Sequence, residues 1–177
     1  MNDSKISVRY AKALFESALE KNILDEVRQD MIHLHEICKL EEFDSFLRSP
    51  IMKESQKRKV IGAIVEDKVQ SLTMGLIDLV LKNNRELYIP GIARKFEVLY
   101  KKNKGIKSAV LVSAYSVDSN LKERVSKILK DAMKSKIDLT TEKNKELIGG
   151  FVIRIEDQQY DASVASKLKN IEKQLLK

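Results

Sequence analysis

Apolar residues recur at intervals of three and four through roughly the first 100 residues of the chain, as they do along one face of an α-helix. The spacing predicts helices in the segments SVRYAKALFESALE, VRQDMIHLHEIC, EEFDSFLRS, KESQKRKVIGAIV, DKVQSLTMGLIDLVLKNN and PGIARKFEVLYKKNK. Asp67 is placed to cap the fifth segment, and Pro90 lies in the first turn of the sixth. The pattern predicts about six helices, packed as a compact bundle.

The period changes after Gly105, which is placed to end the last of these helices. KSAVLVSAY and KIDLTTE have the composition and alternation of strands, and VDSNLKERVSKILKDAM between them returns to helical spacing. We expect LIGGFVIRI to pair back on KIDLTTE, and QQYD to add a short fourth strand. SVASKLKNIEKQLL predicts a final helix with one apolar face, formed by Val164, Leu168, Ile171 and Leu175.

These patterns predict an α+β protein with two domains. Residues 1–105 would form a six-helix bundle, and residues 106–177 a small α/β domain. Cys38 is the one cysteine, which excludes an intramolecular disulfide. No apolar run approaches the ~20 residues of a membrane span, and the N-terminus lacks the apolar region of a secretory signal. We therefore expect a soluble intracellular protein.

The chain carries a formal net charge of +7, from 33 Lys and Arg against 26 Asp and Glu. The excess of positive charge lies after residue 50 and is densest in RKFEVLYKKNKGIK. Such a field suits nucleic acid, an acidic membrane surface or an acidic protein partner. Lys and Glu are interspersed even here, so an ordinary solvated surface explains the same pattern.

Gly149 and Gly150 raise the question of a phosphate-binding loop. Such a loop needs glycines after a strand and before a helix, in a spacing such as G-x-G-x-x-G. Here the glycines precede the predicted strand FVIRI. Glycine at a strand start more often marks a bulge or the close approach of another backbone. We therefore expect a structural role for this pair.

The remaining candidates for metal-binding or catalytic residues are equally weak. His33 and His35 diverge by about 200° on a helix, so they cannot share a metal ion. His35 and Cys38 share a face, but two ligands fall short of what zinc usually needs. Glu156 and Asp157 are adjacent at a strand end, where a turn is the simpler role. We expect no catalytic residue, no cofactor and no metal site.

The first and fifth predicted helices remain apolar on a second side after each has supplied a face to the core. In the first, the core stripe Val8, Ala11, Phe15 and Ala18 leaves Ile6, Tyr10, Ala13, Leu14 and Ser17. In the fifth, the stripe Leu72, Leu76 and Val80 leaves Met74, Ile77 and Leu81. Such helices are either central in their bundle or covered by a partner. Side by side they would form a groove for an amphipathic helix, binding at Tyr10, Ala13, Leu14, Met74, Ile77 and Leu81.

Two stretches, RYAKALFESALEKN at 9–22 and LIGGFVIRIEDQQYDASVASKLKNI at 147–171, resemble the delta subunit of bacterial F-type ATP synthases. This family includes the oligomycin-sensitivity-conferring subunit of mitochondria. The length and the order of the two domains agree as well, so the resemblance covers nearly the whole chain. Two positions depart from the family pattern: Ala162 stands where Gly is frequent, and Glu156 stands where a Gly-Asp turn is common. Both indicate a slightly different turn.

The resemblance implies a stator in the peripheral stalk. Its N-terminal bundle would bind the N-terminal helices of the alpha subunits, largely through helices one and five. Its C-terminal domain would meet the ends of the membrane-anchored b subunits. Such a subunit has no active site. It holds the catalytic head against the torque of the rotor, so that proton flow drives ATP synthesis.

The resemblance also implies one monomeric copy per complex. That copy would lie at the cytoplasmic face of the bacterial cell membrane and be attached to it only through the complex. The alternative from another class is a basic nucleic-acid-binding module. Sparse aromatic residues in the predicted strands and the lack of a binding motif argue against that alternative, so we expect no nucleic acid among the partners.

Overall fold

The computed structural model describes residues 5–49, 51–65 and 68–175. It is mostly helical, with one mixed four-stranded sheet toward the C-terminus, and is therefore of the α+β class. The chain divides into two compact units, residues 1–100 and 101–177. The predicted cap Asp67 and the side chain of Leu175 lie outside the described residues. No helix in the described ranges combines the length and the apolar character that a membrane crossing demands.

Helices occupy the stretches before Gly105 in which apolar residues repeat at helical spacing. A short 3-10 turn, Glu86–Tyr88, precedes the last of them. Gly105 follows that helix with a φ of +63°, the left-handed conformation that glycine adopts readily. The α-helices are α1 Lys5–Glu20, α2 Leu24–Ile37, α3 Glu41–Arg48, α4 Glu54–Val65, α5 Ser71–Lys82 and α6 Ile89–Asn103.

The core of the first unit forms where the apolar sides of these helices meet. Phe96 of α6 is completely buried, and its ring meets that of Phe15 edge-on with 5.9 Å between centroids. Arg28 of α2 donates two hydrogen bonds of 2.9 Å to Glu97, and its guanidinium lies 4.4 Å from the centroid of the Tyr100 ring. The hydrogen bonds to Glu97 raise the pKa of Arg28. This paired, stacked arginine fastens α2 to α6.

The second unit is built on a sheet in the order β2-β1-β3-β4. The strands β1 and β2 are parallel and are joined by α7, whereas β1–β3 and β3–β4 pair antiparallel. Val125, Leu129 and Met133 of α7 pack on a buried cluster of sheet residues. The elements are β1 Ile106–Ser113, α7 Ser119–Met133, β2 Lys136–Lys143, a 3-10 turn Lys145–Leu147, β3 Phe151–Ile155, β4 Gln158–Asp161 and α8 Val164–Leu175.

The predicted pairing of LIGGFVIRI with KIDLTTE is wrong, because β3 pairs with β1 and leaves β2 at the edge of the sheet. The physical reason is the distribution of apolar residues. The strand β1 buries Ala109, Leu111 and Val112, and a central position covers both of its edges. The strand β2 is exposed after Leu139 and carries polar side chains there, which suits an edge strand.

Gly149 and Gly150 allow the segment before α8 to approach the start of β3. Gly150 has a φ of +76°, and a Cβ added to it would lie 2.4 Å from the Ala162 carbonyl oxygen. A Cβ added to Gly149 would lie 3.3 Å from the Val164 side chain. The Val164 amide donates a hydrogen bond to the Gly149 carbonyl (3.0 Å). The pair thus has the structural role that the sequence predicts.

Candidate partner-binding groove

An open groove of about 320 Å³ lies between α1 and α5. The two helices run antiparallel. Tyr10, near the start of α1, accepts a hydrogen bond (3.3 Å) from Arg85, which follows the end of α5, whereas Lys21 and Ser71 share the groove near the opposite helix ends. Two helical walls of this kind form a trough that can receive a third helix. The lining comprises Ala13, Leu14, Ser17, Lys21, Ser71, Leu72, Gly75, Leu76 and Leu79.

The structure separates the six residues predicted to bind a partner helix. Ala13 and Leu14 line the groove. Met74 is half-buried and lies outside the lining. Tyr10, Ile77 and Leu81 are buried in the core of the helical unit, and Leu14 is itself 4 % exposed. Partner binding at these six positions stays a prediction, but the groove brings together only two of them.

On α5 two residues assigned to the core line the groove, and two residues assigned to the groove are buried. Leu72 and Leu76, assigned to the core, line the groove, whereas Ile77 and Leu81 are each 1 % exposed. The helix is apolar around most of its circumference, so its periodicity does not determine which side turns inward. Packing against α1, α2 and α4 makes that choice.

Gly75 and Leu79 are groove residues that the sequence analysis missed. Gly75 carries a signal that was available, because glycine in a helix interior costs about 1 kcal/mol relative to alanine. A Cβ added at Gly75 would meet nothing within 4 Å, so packing inside the chain does not require the glycine. The small side chains of Ala13 and Ser17 also lie in the lining. Together these positions leave room for the backbone of an incoming helix to come close.

A buried carboxylate from α2 fixes the start of the groove wall α5. The residue preceding α5, Gln70, makes no side-chain cap of its own. Instead Asp30, which is 5 % exposed, accepts hydrogen bonds from the Gln70 amide (2.8 Å) and from the Thr73 hydroxyl (2.6 Å). A carboxylate at a helix N-terminus satisfies free amides and opposes the helix dipole. Asp30 thereby caps α5 from a neighbouring helix.

A second polar contact fixes the middle of the same wall. Arg58 of α4 donates two hydrogen bonds to Asp78, at 2.6 and 2.7 Å. The hydrogen bonds lower the pKa of the Asp78 carboxyl. Planar pairing of a guanidinium with a carboxylate restricts the orientation of both helices. The groove wall α5 is therefore held from α2 at its start and from α4 at its middle.

The groove is electrically asymmetric. Its lining includes one cation, Lys21, and no carboxylate. Lys21 directly follows the C-terminal end of α1 and lies at the same end of the groove as Ser71, the first residue of α5. A partner with an apolar face and an acidic side chain near that end fits this arrangement.

The histidine and cysteine positions offer no metal-binding arrangement. Burial raises the pKa of the Cys38 thiol to about 12, so the thiol stays protonated and is a weak nucleophile and metal ligand. His33 is exposed and His35 is half-buried. Over the described ranges, no group of three or more His, Cys, Asp or Glu side chains is placed to hold a metal ion. The groove can bind an apolar surface, but it carries no catalytic constellation.

Comparison with known proteins decides the family. Residues 6–175 match the sequence model of the family described as ATP synthase delta (OSCP) subunit. The chain belongs to this family. Among its relatives, the ATP synthase subunit delta of Christiangramia forsetii is 31% identical over 176 residues, which cover 99% of this chain and 95% of the relative. The resemblance to the delta family is thus confirmed.

Two further comparisons agree with this assignment to the delta (OSCP) family. The ATP synthase subunit delta of Symbiobacterium thermophilum is 31% identical over 180 residues, covering 99% of this chain and 95% of the relative. A chain in the cryo-EM structure of the Toxoplasma gondii mitochondrial ATP synthase hexamer has a TM-score of 0.80 at 26% identity. That match covers 98% of this chain and 99% of the other. These relatives give no support to the nucleic-acid alternative.

Proposed function

We infer that the protein is the peripheral-stalk subunit of a proton-transporting F-type ATP synthase. It is a non-catalytic subunit, which links the catalytic head to the membrane-anchored b subunits so that rotation drives ATP synthesis. The observation that carries this inference is the family match over residues 6–175. The groove supports it physically, because a stator needs tight helix binding in place of a reaction centre.

The helices α1–α6 act as one six-helix bundle on the head, and the groove between α1 and α5 holds the N-terminal helix of an alpha subunit. Leu79 and the half-buried Leu72 and Leu76 supply most of the apolar surface, and Gly75 leaves the space for close approach. An amphipathic helix presents anchors at i, i+3, i+4 and i+7 to such a groove. Because Asp30 and Arg58 already hold α5, little reorganisation of the wall opposes binding.

The second unit, residues 101–177, contacts the b subunits. One copy of the protein serves each complex, at the cytoplasmic face of the bacterial cell membrane, and the membrane association is indirect. The chain's excess of lysine and arginine supports a partner with acidic helices. These assignments follow the family resemblance and complete the path from the head to the membrane sector.

A charge in the groove tests the function of the first unit. Ala13→Glu places a carboxylate among the groove leucines, where a bound helix would desolvate it without a partner. We expect binding of a synthetic peptide of the alpha-subunit N-terminal helix to fall at least ~30-fold, the loss typical of an interface hot spot. Calorimetry with the full chain measures the affinity, and circular dichroism measures the thermal midpoint, which should move by no more than a few degrees because Ala13 is exposed.

Ala63→Glu provides the matched control. Ala63 is exposed on α4 and lies outside the groove lining, so the same substitution there should leave peptide binding unchanged. If the Ala13→Glu and wild-type chains bound the alpha-subunit peptide equally well, the groove would be excluded as the alpha-binding site. Unfolding of Ala13→Glu would show that this side of α1 belongs to the core.

A further inference from the structure

The two parallel strands of the second unit end side by side at one edge of the sheet. Ser113, the last residue of β1, pairs with Lys143, the last residue of β2. The Asn144 amide then donates a hydrogen bond to the Ser113 carbonyl (2.8 Å), which keeps the two chain segments together as they leave the sheet. Open α/β sheets bind their ligands outside the carboxyl ends of parallel strands. This edge therefore has the position of a ligand site.

A pocket of about 240 Å³ opens at this edge, and hydrogen bonds hold its walls in place. Ser113 Oγ accepts a hydrogen bond from the Tyr115 amide (3.2 Å), and the Ser113 hydroxyl donates one to the Tyr115 carbonyl (2.8 Å). Asn144 Oδ1 accepts one from the Glu146 amide (2.9 Å), which fixes the 3-10 turn that contains Lys145. The walls are thus formed before any ligand binds. We name this cavity the carboxyl-edge pocket, and its lining comprises Ala114, Tyr115, Lys143, Lys145 and Ile148.

One wall of the pocket contains a residue with a strained backbone. Ile148 has a φ of +63° and a ψ of −44°. The Gly149 amide donates a hydrogen bond to the Leu147 carbonyl (2.6 Å) across it, which makes a γ-turn of the rare, strained kind. A β-branched residue at positive φ is an outlier, and such strain is concentrated at binding sites. Ile148 is 61% exposed, so burial in the core does not explain its conformation.

The charges in the lining all have one sign. The pocket contains two lysines, Lys143 and Lys145, and no carboxylate. Within the described part of the chain, neither ammonium makes an ion pair or a hydrogen bond. Glu142 precedes Lys143 on β2 and so points to the other face of the sheet, where it lies 4.0 Å from Arg154. Two cations around one small cavity repel each other, and an anion between them relieves that repulsion.

The size of the pocket and its donors define the class of anion. A volume of about 240 Å³ is below the ~300–1,000 Å³ of pockets for drug-sized ligands, so the pocket suits a small ion better than a nucleotide. Lysine ammoniums bind phosphate as point charges, and two of them match the charge of about −1.5 to −2 that a phosphate group carries near pH 7. The hydroxyl of Tyr115, which is also in the lining, can donate a hydrogen bond.

We propose that the carboxyl-edge pocket binds a free phosphate ion, with Lys143 and Lys145 neutralising its charge and Tyr115 donating a hydrogen bond. The proposal goes beyond the proposed function and does not depend on it, because the pocket shares no lining residue with the groove between α1 and α5. A phosphate group on a lipid headgroup has the same chemistry, and the experiment below distinguishes that source from the free ion.

Titration of the full-length chain with inorganic phosphate tests the proposal, with nuclear magnetic resonance of the backbone amides as the readout. The amides of the pocket lining should shift and reach saturation at millimolar phosphate. Lys143→Gln and Lys145→Gln should each weaken binding by ~5-fold, the factor for one exposed charge pair, and the double variant should weaken it further. Lys127→Gln, at an exposed lysine of α7 outside the lining, is the matched control and should bind phosphate like the wild-type chain. Thermal midpoints should agree within a few degrees, because these lysines are exposed.

Three results would overturn the proposal. Shifts that never saturate, or that Lys127→Gln reduces as much as the two pocket variants do, would show an adventitious ion only. Saturable binding of ADP but not of inorganic phosphate would exclude a small ion as the ligand. Binding to vesicles that contain phosphatidic acid, lost in the double lysine variant and without any binding of free phosphate, would assign the lysines to a lipid headgroup. Alpha-peptide binding should be unchanged in every lysine variant, so failure here leaves the proposed function intact.

Discussion

The groove between α1 and α5 and an exposed apolar strip on α8 differ in how much of the binding surface is held in place before a partner helix binds. The groove has two walls, and contacts from Asp30 and Arg58 hold one of them in place before any partner arrives. The strip on α8 lies on a single helix, which hydrogen bonds fix at its first turn, and it comprises Val164, Leu168 and Ile171. A preorganised groove loses little freedom on binding, whereas a helix of 12 residues is marginal in water and gains stability from whatever covers it. The first surface is therefore formed in advance, and the second depends on its surroundings.

The largest expected effect on stability comes from removing the cap of the groove wall. Asp30→Ala leaves the Gln70 amide and the Thr73 hydroxyl without their buried acceptor. We expect the free energy of unfolding of the helical unit to fall by about 3 kcal/mol, measured by urea denaturation. Asp30→Asn keeps one acceptor oxygen and should lose less. If Asp30→Ala were as stable as the wild-type chain, the groove wall would not depend on this cap.

A smaller loss of stability should follow from disturbing the contact between Gly150 and the segment that leads into α8. Gly150→Ala introduces a Cβ 2.4 Å from the Ala162 carbonyl oxygen at a φ of +76°, and should lower the stability of the second unit by about 2 kcal/mol. Gly105→Ala is the matched control, because its φ is +63° but nothing lies within 4 Å of the added Cβ. That variant should lose only about 1 kcal/mol. Equal losses measured by denaturation would show that contact with Ala162 is unimportant.

The smallest effect concerns the Arg58–Asp78 pair and depends on pH. The pKa of Asp78 is lowered in the folded state, so the pair stabilises the fold above the ordinary pKa of aspartate, ~3.9, and loses that contribution as pH falls through the folded pKa. Both side chains are partly exposed, so Arg58→Gln should cost less than about 1 kcal/mol at pH 7. Denaturation at neutral pH and near pH 2–3 should show the difference between variant and wild-type chains disappearing in acid. A difference independent of pH would assign the effect to packing.

The difference between α5 and α8 also shows which features of the fold could be predicted from the sequence. A strongly periodic segment such as SVASKLKNIEKQLL predicted its helix correctly, because apolar residues repeat at helical spacing along it. The fifth helix has several apolar sides, and periodicity alone could not tell Leu76 in the groove from Ile77 in the core. That choice depends on neighbouring helices, which are distant in the sequence. The pairing of β3 with β1 depends on long-range contacts in the same way.

The most direct test of the account is a paired binding measurement on the full-length chain. The alpha-subunit N-terminal peptide and the b-subunit stalk segment lacking its membrane anchor are each titrated into the wild-type, Ala13→Glu and Ala63→Glu chains. The account predicts that Ala13→Glu binds the alpha peptide at least ~30-fold more weakly and the b segment normally, and that Ala63→Glu binds both like the wild-type chain. Loss of both ligands by Ala13→Glu, or of neither, would contradict the claim that this protein joins two partners through two separately built surfaces.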